Sequence, residues 1–278
     1  MPITLSPLRY PGGKTKLYNK IVDILEFNEL ENITYVEPFA GGAGLAIKLL
    51  LNNNVRNIVI NDIDPSIFAF WFSVLNFTDE LCSRIDDCPI TIAERERQID
   101  VLKDQGSYSL IDIGLATLFL NRTNISGILT AGPIGGKEQQ GKDKINARFI
   151  KSVLINKIVA IADSKERIFL HQLDVIDFIN SILPQYNPQE LFVNYDPPYV
   201  VKGQELYLNH FTLKDHERLQ VRIVNSPYNW IITYDYNDFI LNLYSAFQYE
   251  RIQLNHSAGN MKKGEEILIY CNNLESPR

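Results

Sequence analysis

Ile33-Thr34-Tyr35-Val36-Glu37-Pro38-Phe39-Ala40-Gly41-Gly42-Ala43-Gly44-Leu45-Ala46-Ile47-Lys48-Leu49-Leu50, continued after Asn52-Asn53-Asn54 by Val55-Arg56-Asn57-Ile58-Val59-Ile60-Asn61-Asp62, decides the fold. Ile33–Val36 reads as a short strand and Gly41–Gly44 as a tight turn. Leu45–Leu50 reads as a helix, and Val55–Ile60 as a second strand ending at an acid. This β–turn–α–β–acid unit is a nucleotide-binding half of a doubly wound sheet. Its right-handed crossover brings the glycine turn and Asp62 to one carboxyl edge. An NAD fingerprint is excluded, because GxGxxG requires glycine at position 47, which is Ile. Glycines here let the backbone approach a ligand closely, and Asp62, roughly 20 residues downstream, can accept from a ribose diol.

Working outward, apolar alternation returns at Ile168–Leu170, Leu191–Tyr195, Trp230–Tyr234 and Glu266–Tyr270, which supply further strands. Between Pro65 and about Ile161 the period turns helical, with Ile67, Phe68, Phe70, Trp71, Val74 and Leu75, then Ala93–Lys103 and Ile111–Leu120. Residues 1–64 and 162–278 are therefore expected to form an α/β domain, a mixed sheet with helices on both faces. Residues 65–161 are expected to form a mostly helical insert with a β-hairpin near the Gly/Lys-rich stretch Gly132–Lys144.

The 278 residues are 45% hydrophobic, enough for a sizeable core and against disorder. Cys82, Cys88 and Cys271 form no CxxC pair, which argues against structural zinc and fits a reducing cytosol. Met1–Leu8 has no signal-peptide character, and no apolar run nears the roughly 18 residues of a membrane span. A cytoplasmic location is expected. The net charge of −6 opposes nucleic-acid binding, but its distribution is uneven. Arg9, Lys14, Lys16 and Lys20 stand without an acid in the first twenty residues. Arg122, Lys137, Lys142, Lys144, Arg148 and Lys151 face only Glu138 and Asp143. Such segments read equally as a binding face or as solvated surface.

Asp196-Pro197-Pro198-Tyr199 follows the apolar run Leu191–Val193, at a strand exit. The tetrapeptide suits methylation of an exocyclic amine on an aromatic ring. The Asp196 carboxylate and a proline-flanked carbonyl can accept from the NH2 group and localise its lone pair, while Tyr199 stacks on the ring. The prolines fix φ and remove donors. Alone, the same four residues read equally as an ordinary Pro-Pro exit with a surface Asp.

Four segments in order settle that ambiguity: Leu8-Arg9-Tyr10-Pro11-Gly12-Gly13-Lys14, Glu37-Pro38-Phe39-Ala40-Gly41-Gly42, Asn61-Asp62 and Asp196-Pro197-Pro198-Tyr199. The chain resembles Dam-type DNA adenine-N6 methyltransferases of the alpha motif order over nearly its whole length. Asn121-Arg122-Thr123 with Ser126-Gly127, Asp174, Phe211, Asp215-His216 and Lys262–Glu266 match further. The resemblance implies a Rossmann-like methyltransferase fold, S-adenosylmethionine as donor with S-adenosylhomocysteine as product, and a flipped adenine in duplex DNA.

Carried over, Tyr10 and Lys14 border the donor, and Glu37, Phe39, Ala40, Gly41 and Gly42 approach its methionine part. Asp62, with Ile63, takes the ribose, and Asp174 lies near the donor's adenine. Asp196 contacts the target amine and lies close to the donor; with Pro197, Pro198 and Tyr199 it forms the catalytic set. Arg9, Asn121, Arg122, Thr123, Asn124, Ser126, Lys137, Lys142, Lys144 and Arg148 are the residues expected on DNA.

Tyr10-Pro11 stands where many members have Trp-Ala, Ala43 where glycine is frequent, and the 121–127 segment lacks an aromatic-Asn-Gly ending. His210 and His216 read as surface or capping residues rather than ligands, and no metal is expected. Trp230 reads as core, Tyr234-Asp235 as a strand end near the target pocket, and Lys262-Lys263 as a phosphate contact or a solvated turn. An amine methyltransferase of RNA or protein, and a catalytically silent DNA-binding regulator, are the competing readings. A restriction–modification enzyme would have a cognate endonuclease as partner; an orphan or phage enzyme would not.

Overall fold

The computed structural model describes residues 4–10, 12–200, 211–255 and 263–277. Seven strands form one sheet in the order β3-β2-β1-β4-β5-β7-β6. They are β1 (Thr34–Glu37), β2 (Asn57–Asn61), β3 (Ile168–His171), β4 (Leu191–Tyr195), β5 (Asn229–Asp235), β6 (Tyr249–Asn255) and β7 (Lys263–Tyr270). Strands β3 to β5 pair in parallel, and β7 runs antiparallel to both β5 and β6. Every residue of β1 and of β4 is buried. Successive strand side chains point to opposite faces, so both faces of the central sheet are covered.

Six of the seven strands carry apolar runs that the sequence announces. Strand β6 does not, because Glu250 and Arg251 interrupt its apolar residues; it forms at the sheet edge by pairing Tyr249 to Asn255 with β7. The chain moves from β1 to β2 and β3 on one side, then returns to β4 and β5 on the other. The order reverses between β1 and β4, where an open α/β sheet forms its crevice at the carboxyl ends of the strands. Glu37 ends β1, and Asp196 directly follows β4.

Helix α1 (Tyr18–Phe27) precedes β1, and α2 (Gly44–Leu51) connects β1 to β2. Then come α3 (Pro65–Asn76), α4 (Thr78–Asp87), α5 (Ile92–Lys103), α6 (Leu110–Thr123) and α7 (Lys151–Ala162). Helices α8 (Val175–Ser181), α9 (Leu213–Val224) and α10 (Asp238–Leu243) follow the later strands. Local signals start the helices between β2 and β3. Asp64 accepts from Ser66 N at 2.8 Å ahead of Pro65, Thr91 accepts from Glu94 N at 3.1 Å, and Ser109 with Asp112 forms a capping box.

One apolar cluster joins the sheet to Phe70 and Trp71 of α3, Leu118 and Phe119 of α6, and Leu154 and Ile158 of α7. The hairpin expected beyond α6 reduces to a single antiparallel bridge, Asn124 to Pro133. Asn124 Nδ2 donates to the carbonyls of Ile128 (3.1 Å) and Leu129 (2.8 Å), which closes the segment as turns rather than a ladder.

Helices α3 and α6 cross at Gly114, where a Cβ would come within 2.8 Å of the Ala69 carbonyl oxygen. Gly114→Ala is therefore expected to destabilise the protein by about 1–3 kcal/mol, despite alanine's better helix propensity. Denaturant unfolding of the two proteins checks the sign.

Candidate active site

The turn after β1 is held from several directions. Gly41 has φ +46°, and its N–H donates to Asp62 Oδ2 at 2.7 Å; Asp62 Oδ1 accepts from Asp64 N at 3.0 Å. Its carbonyl accepts from Trp71 Nε1 at 3.0 Å. A Cβ on Gly41 would lie 2.6 Å from the Tyr10 ring, so the aromatic ring packs directly on the glycine backbone. Ala43 also takes the left-handed region, φ +44°, as the N-cap of α2. Glycine would relieve that strain. The buried Asn61 side chain ties Pro38 O (3.0 Å) to Leu173 N (2.9 Å) and Leu173 O (3.0 Å), fixing three strand exits together. Burial pushes the Asp62 carboxyl up to about 6, against the two N–H donors that favour its charge.

Beside this turn lies a cavity of about 350 Å³, lined among others by Phe39, Asp62, Ile63, Asp174 and Phe211. Asp174 caps α8 through Ile176 N at 2.9 Å. Phe211 meets Phe39 edge-on with ring centroids 5.7 Å apart. Asp215 and Arg218 of α9 reach the same cavity, and Arg218 carried no signal in the sequence. An aromatic wall, backbone that approaches closely and two acceptor carboxylates at the rim suit a nucleoside with a diol. Glu37, Ala40 and Gly42 are buried behind the cavity wall. Glu37 Oε1 accepts from Ala46 N (3.2 Å) and Tyr35 OH (3.3 Å). Burial first, then the nearby Asp196 charge, pushes the Glu37 carboxyl up to about 8.

The second half of the site surrounds Asp196. Its Oδ1 receives Thr233 Oγ1 at 2.7 Å and pairs with Lys14 Nζ at 3.0 Å. Lys14 is buried; its Nζ also donates to Gly12 O at 2.8 Å and lies 3.7 Å from Glu266 Oε2. Glu266 in turn accepts from Tyr199 OH at 2.7 Å. The ammonium sits 5.0 Å from the Tyr199 ring centroid. Pro197 is buried and Pro198 half-buried. Thr233 escaped the sequence reading, although a hydroxyl within the apolar run Trp230–Tyr234 was its signal.

Trp230 lies in the core, and Tyr234 is buried with its ring 6.4 Å from that of Tyr199. His216 corrects the surface expectation: it is fully buried, its Nδ1 bonds Tyr234 OH at 2.9 Å, and burial depresses its pKa to about 4. His210, Lys262 and Pro11 lie outside the described residues. Among the described residues no group of His, Cys, Asp or Glu is arranged to hold a metal.

The residues expected on DNA separate into two sets. Asn121, Thr123 and Asn124 are at most 1% exposed, and their side chains are spent inside the protein. Asn121 clamps Arg9 through both N–H and C=O, at 2.7 Å each; Thr123 bonds Phe119 O; Asn124 receives Arg95 Nε at 2.8 Å. These three brace the loop rather than present groups to a phosphate. Arg122, 8% exposed, donates from Nε to Pro7 O at 2.6 Å. Burial first, then Arg9 and Arg148, lowers its pKa to about 10. Ser126 is half-buried in the left-handed region at φ +59°, while Lys137, Lys142, Lys144 and Arg148 are exposed. Lys157 joins Arg9, Arg122 and Arg148: burial and then Arg122 lower its pKa. None of these four cations has a carboxylate within ion-pair distance among the described residues.

The sequence model described as D12 class N6 adenine-specific DNA methyltransferase matches residues 10–257. The type II methyltransferase M.MjaIII of Methanocaldococcus jannaschii is 23% identical, over 95% of this chain and 98% of that protein. Among solved structures, the rRNA methyltransferase aviRa from Streptomyces viridochromogenes aligns at 11% identity with a TM-score of 0.44. That alignment covers 95% of this chain and 88% of the other.

A Glu37 carboxyl raised to about 8 keeps its proton in the folded protein long after the unfolded chain has lost it near 4.5. Stability tied to that proton is present below 4.5 and falls away as pH rises to 8. His216 acts oppositely, but only between about 4 and 6.5. Thermal melts from pH 6.5 to 8 are thus expected to show a decline in wild type that Glu37→Gln flattens.

Proposed function

The chain belongs to the D12 class of N6 adenine-specific DNA methyltransferases, and from that premise we propose that it uses S-adenosylmethionine to methylate an adenine flipped out of duplex DNA. S-adenosylmethionine supplies the methyl group when bound and leaves as S-adenosylhomocysteine. The observation that carries this reading is the state of Asp196 beside the topological switch point. One carboxylate oxygen is engaged by Lys14 and Thr233, while Oδ2 carries neither bond.

In this reading Oδ2 accepts one hydrogen from the target amine, and the Pro197 carbonyl accepts the other. Both acceptors localise the N6 lone pair, and Asp196 offsets the positive charge that develops on nitrogen. Tyr199, its hydroxyl anchored on Glu266, offers a ring for the base. Extrusion costs on the order of a few kcal/mol. Stacking returns roughly 1–3 kcal/mol, and hydrogen bonds to a charged acceptor about 1.5–3 kcal/mol, which together offset it. Asp62 and Asp174 are the acceptors for the donor's nucleoside, with Phe39, Ile63 and Phe211 as its apolar walls, and the turn 40–42 with Tyr10 borders the remainder.

Residues 65–161 are the target-reading insert in this reading. Four cations without an ion-pair partner among the described residues, Arg9, Arg122, Arg148 and Lys157, suit the phosphate backbone, since counterions released on binding reward such positive charge. Lys137, Lys142 and Lys144 extend that charge along the loop. The kinship with a type II methyltransferase supports a modification role beside a restriction endonuclease that cuts the same site.

Expression in a methylation-free bacterial host, followed by sequencing that detects N6-methyladenine, tests both activity and target. Asp196→Ala is expected to lower the rate at least ~10²–10³-fold with normal folding; a smaller loss removes Asp196 from the chemistry. Arg148→Ala is expected to weaken DNA binding and reduce the salt slope by about 1, measured by titration across salt concentrations. An unchanged slope takes Arg148 off the phosphates.

A further inference from the structure

The Gly41 peptide is gripped by side chains from three separate parts of the chain. Asp62 takes the N–H, the Tyr10 ring covers the α-carbon, and Trp71 donates its indole N–H to the carbonyl at 3.0 Å. Trp71 belongs to α3, the first helix of the insert, not to the β–turn–α–β unit. It is fully buried and packs edge-on to Phe70 at 5.1 Å. Helix α3 packs in turn against α6: the Thr117 and Ser73 hydroxyls, bonded to Ile113 O (2.8 Å) and Ala69 O (2.7 Å) of their own helices, lie 3.1 Å from Ser66 O and 3.2 Å from Leu110 O of the other helix. The helix that carries Arg122 in its last turn is thereby linked through α3 to the glycine turn.

A fully buried indole N–H needs an acceptor, and the one that Trp71 takes is the carbonyl of the positive-φ residue of the turn. With φ at +46°, Gly41 has several accessible turn conformations, and glycine leaves all of them sterically open. The N–H held by Asp62 and the C=O held by Trp71 fix the peptide planes on both sides of its α-carbon. Removal of the indole donor strands a buried carbonyl, and the turn then relaxes into conformations that face the carbonyl elsewhere. Apparent donor affinity falls by the fraction of chains whose turn remains competent.

We propose that Trp71 is a positioning residue for the methyl donor: its indole N–H, supplied by the insert, holds the Gly41 carbonyl so that the turn keeps its donor-binding shape. The proposal rests on the reading that this turn borders the donor.

Trp71→Phe keeps an aromatic ring and loses the donor. Its affinity for S-adenosylhomocysteine, measured by calorimetry without DNA, is expected to fall on the order of ten-fold, with duplex DNA affinity little changed. Unaltered donor affinity, or equal losses for donor and DNA, overturns the proposal. Asp62→Ala is the parallel control. If it too binds the donor normally, the location of the donor is wrong rather than the role of Trp71. The chain has two tryptophans, so an amide-selective NMR spectrum of wild type has two indole N–H signals, assigned with Trp230→Phe. The Trp71 signal is expected to shift on saturation with S-adenosylhomocysteine while that of Trp230 stays; a stationary Trp71 signal refutes the proposal even if Trp71→Phe does not fold.

Discussion

A buried ammonium between two carboxylates is the interaction on which the site depends. Lys14 sits 3.0 Å from Asp196 and 3.7 Å from Glu266, with the Gly12 carbonyl closing its coordination. Charges removed from water carry a desolvation penalty of several kcal/mol each, so such a cluster persists only when every member is partnered. Thr233 and Tyr199 complete it, one on each acid. The consequence is geometric. The segment before α1, the exit of β4, and strands β5 and β7 all converge on one cation, and the Asp-Pro-Pro-Tyr corner has little freedom to move. A carboxylate held by its neighbours in this way is preorganised, which is what the proposed catalytic role of Asp196 requires.

The glycine turn solves a different problem. Its positive φ at Gly41 suits glycine, yet glycine alone would leave the turn loose. The structure compensates with side chains: Asp62 below, Tyr10 across, Trp71 from α3. Both Asp62 and Glu37 take raised pKa values at this edge, chiefly because burial disfavours their charged forms. The Lys14 charge opposes the rise at Glu37, but its ammonium is committed to Asp196.

Around the end of α6, the protein spends polar side chains on its own framework. Asn121 reproduces a backbone-like pair of hydrogen bonds to Arg9, and Arg95 with Asn124 closes the loop beyond α6. What remains for the proposed polyanion is charge: Arg9, Arg122, Arg148 and Lys157 lie close enough to lower one another's pKa values, and none has an ion-pair partner among the described residues. An acidic protein thereby keeps a positively charged region, which total composition conceals.

The β1–α2–β2 unit, the strand exits at Asp62 and Asp196, and the helical period of 65–161 were legible in the sequence because each follows from local rules of alternation, glycine turns and caps. Membership of an adenine methyltransferase family was legible for the same reason, as ordered short motifs. Tertiary structure alone decided which polar residues face inward. Nothing local distinguishes Asn121 or Thr123 from surface residues, or His216 from a cap, since burial depends on what other segments pack against them. Strand β6 likewise exists only because β7 supplies its hydrogen-bond partners. Residue identities determined which groups could do the chemistry; convergence of distant segments, at a point where the sheet reverses its order, decided which of them meet.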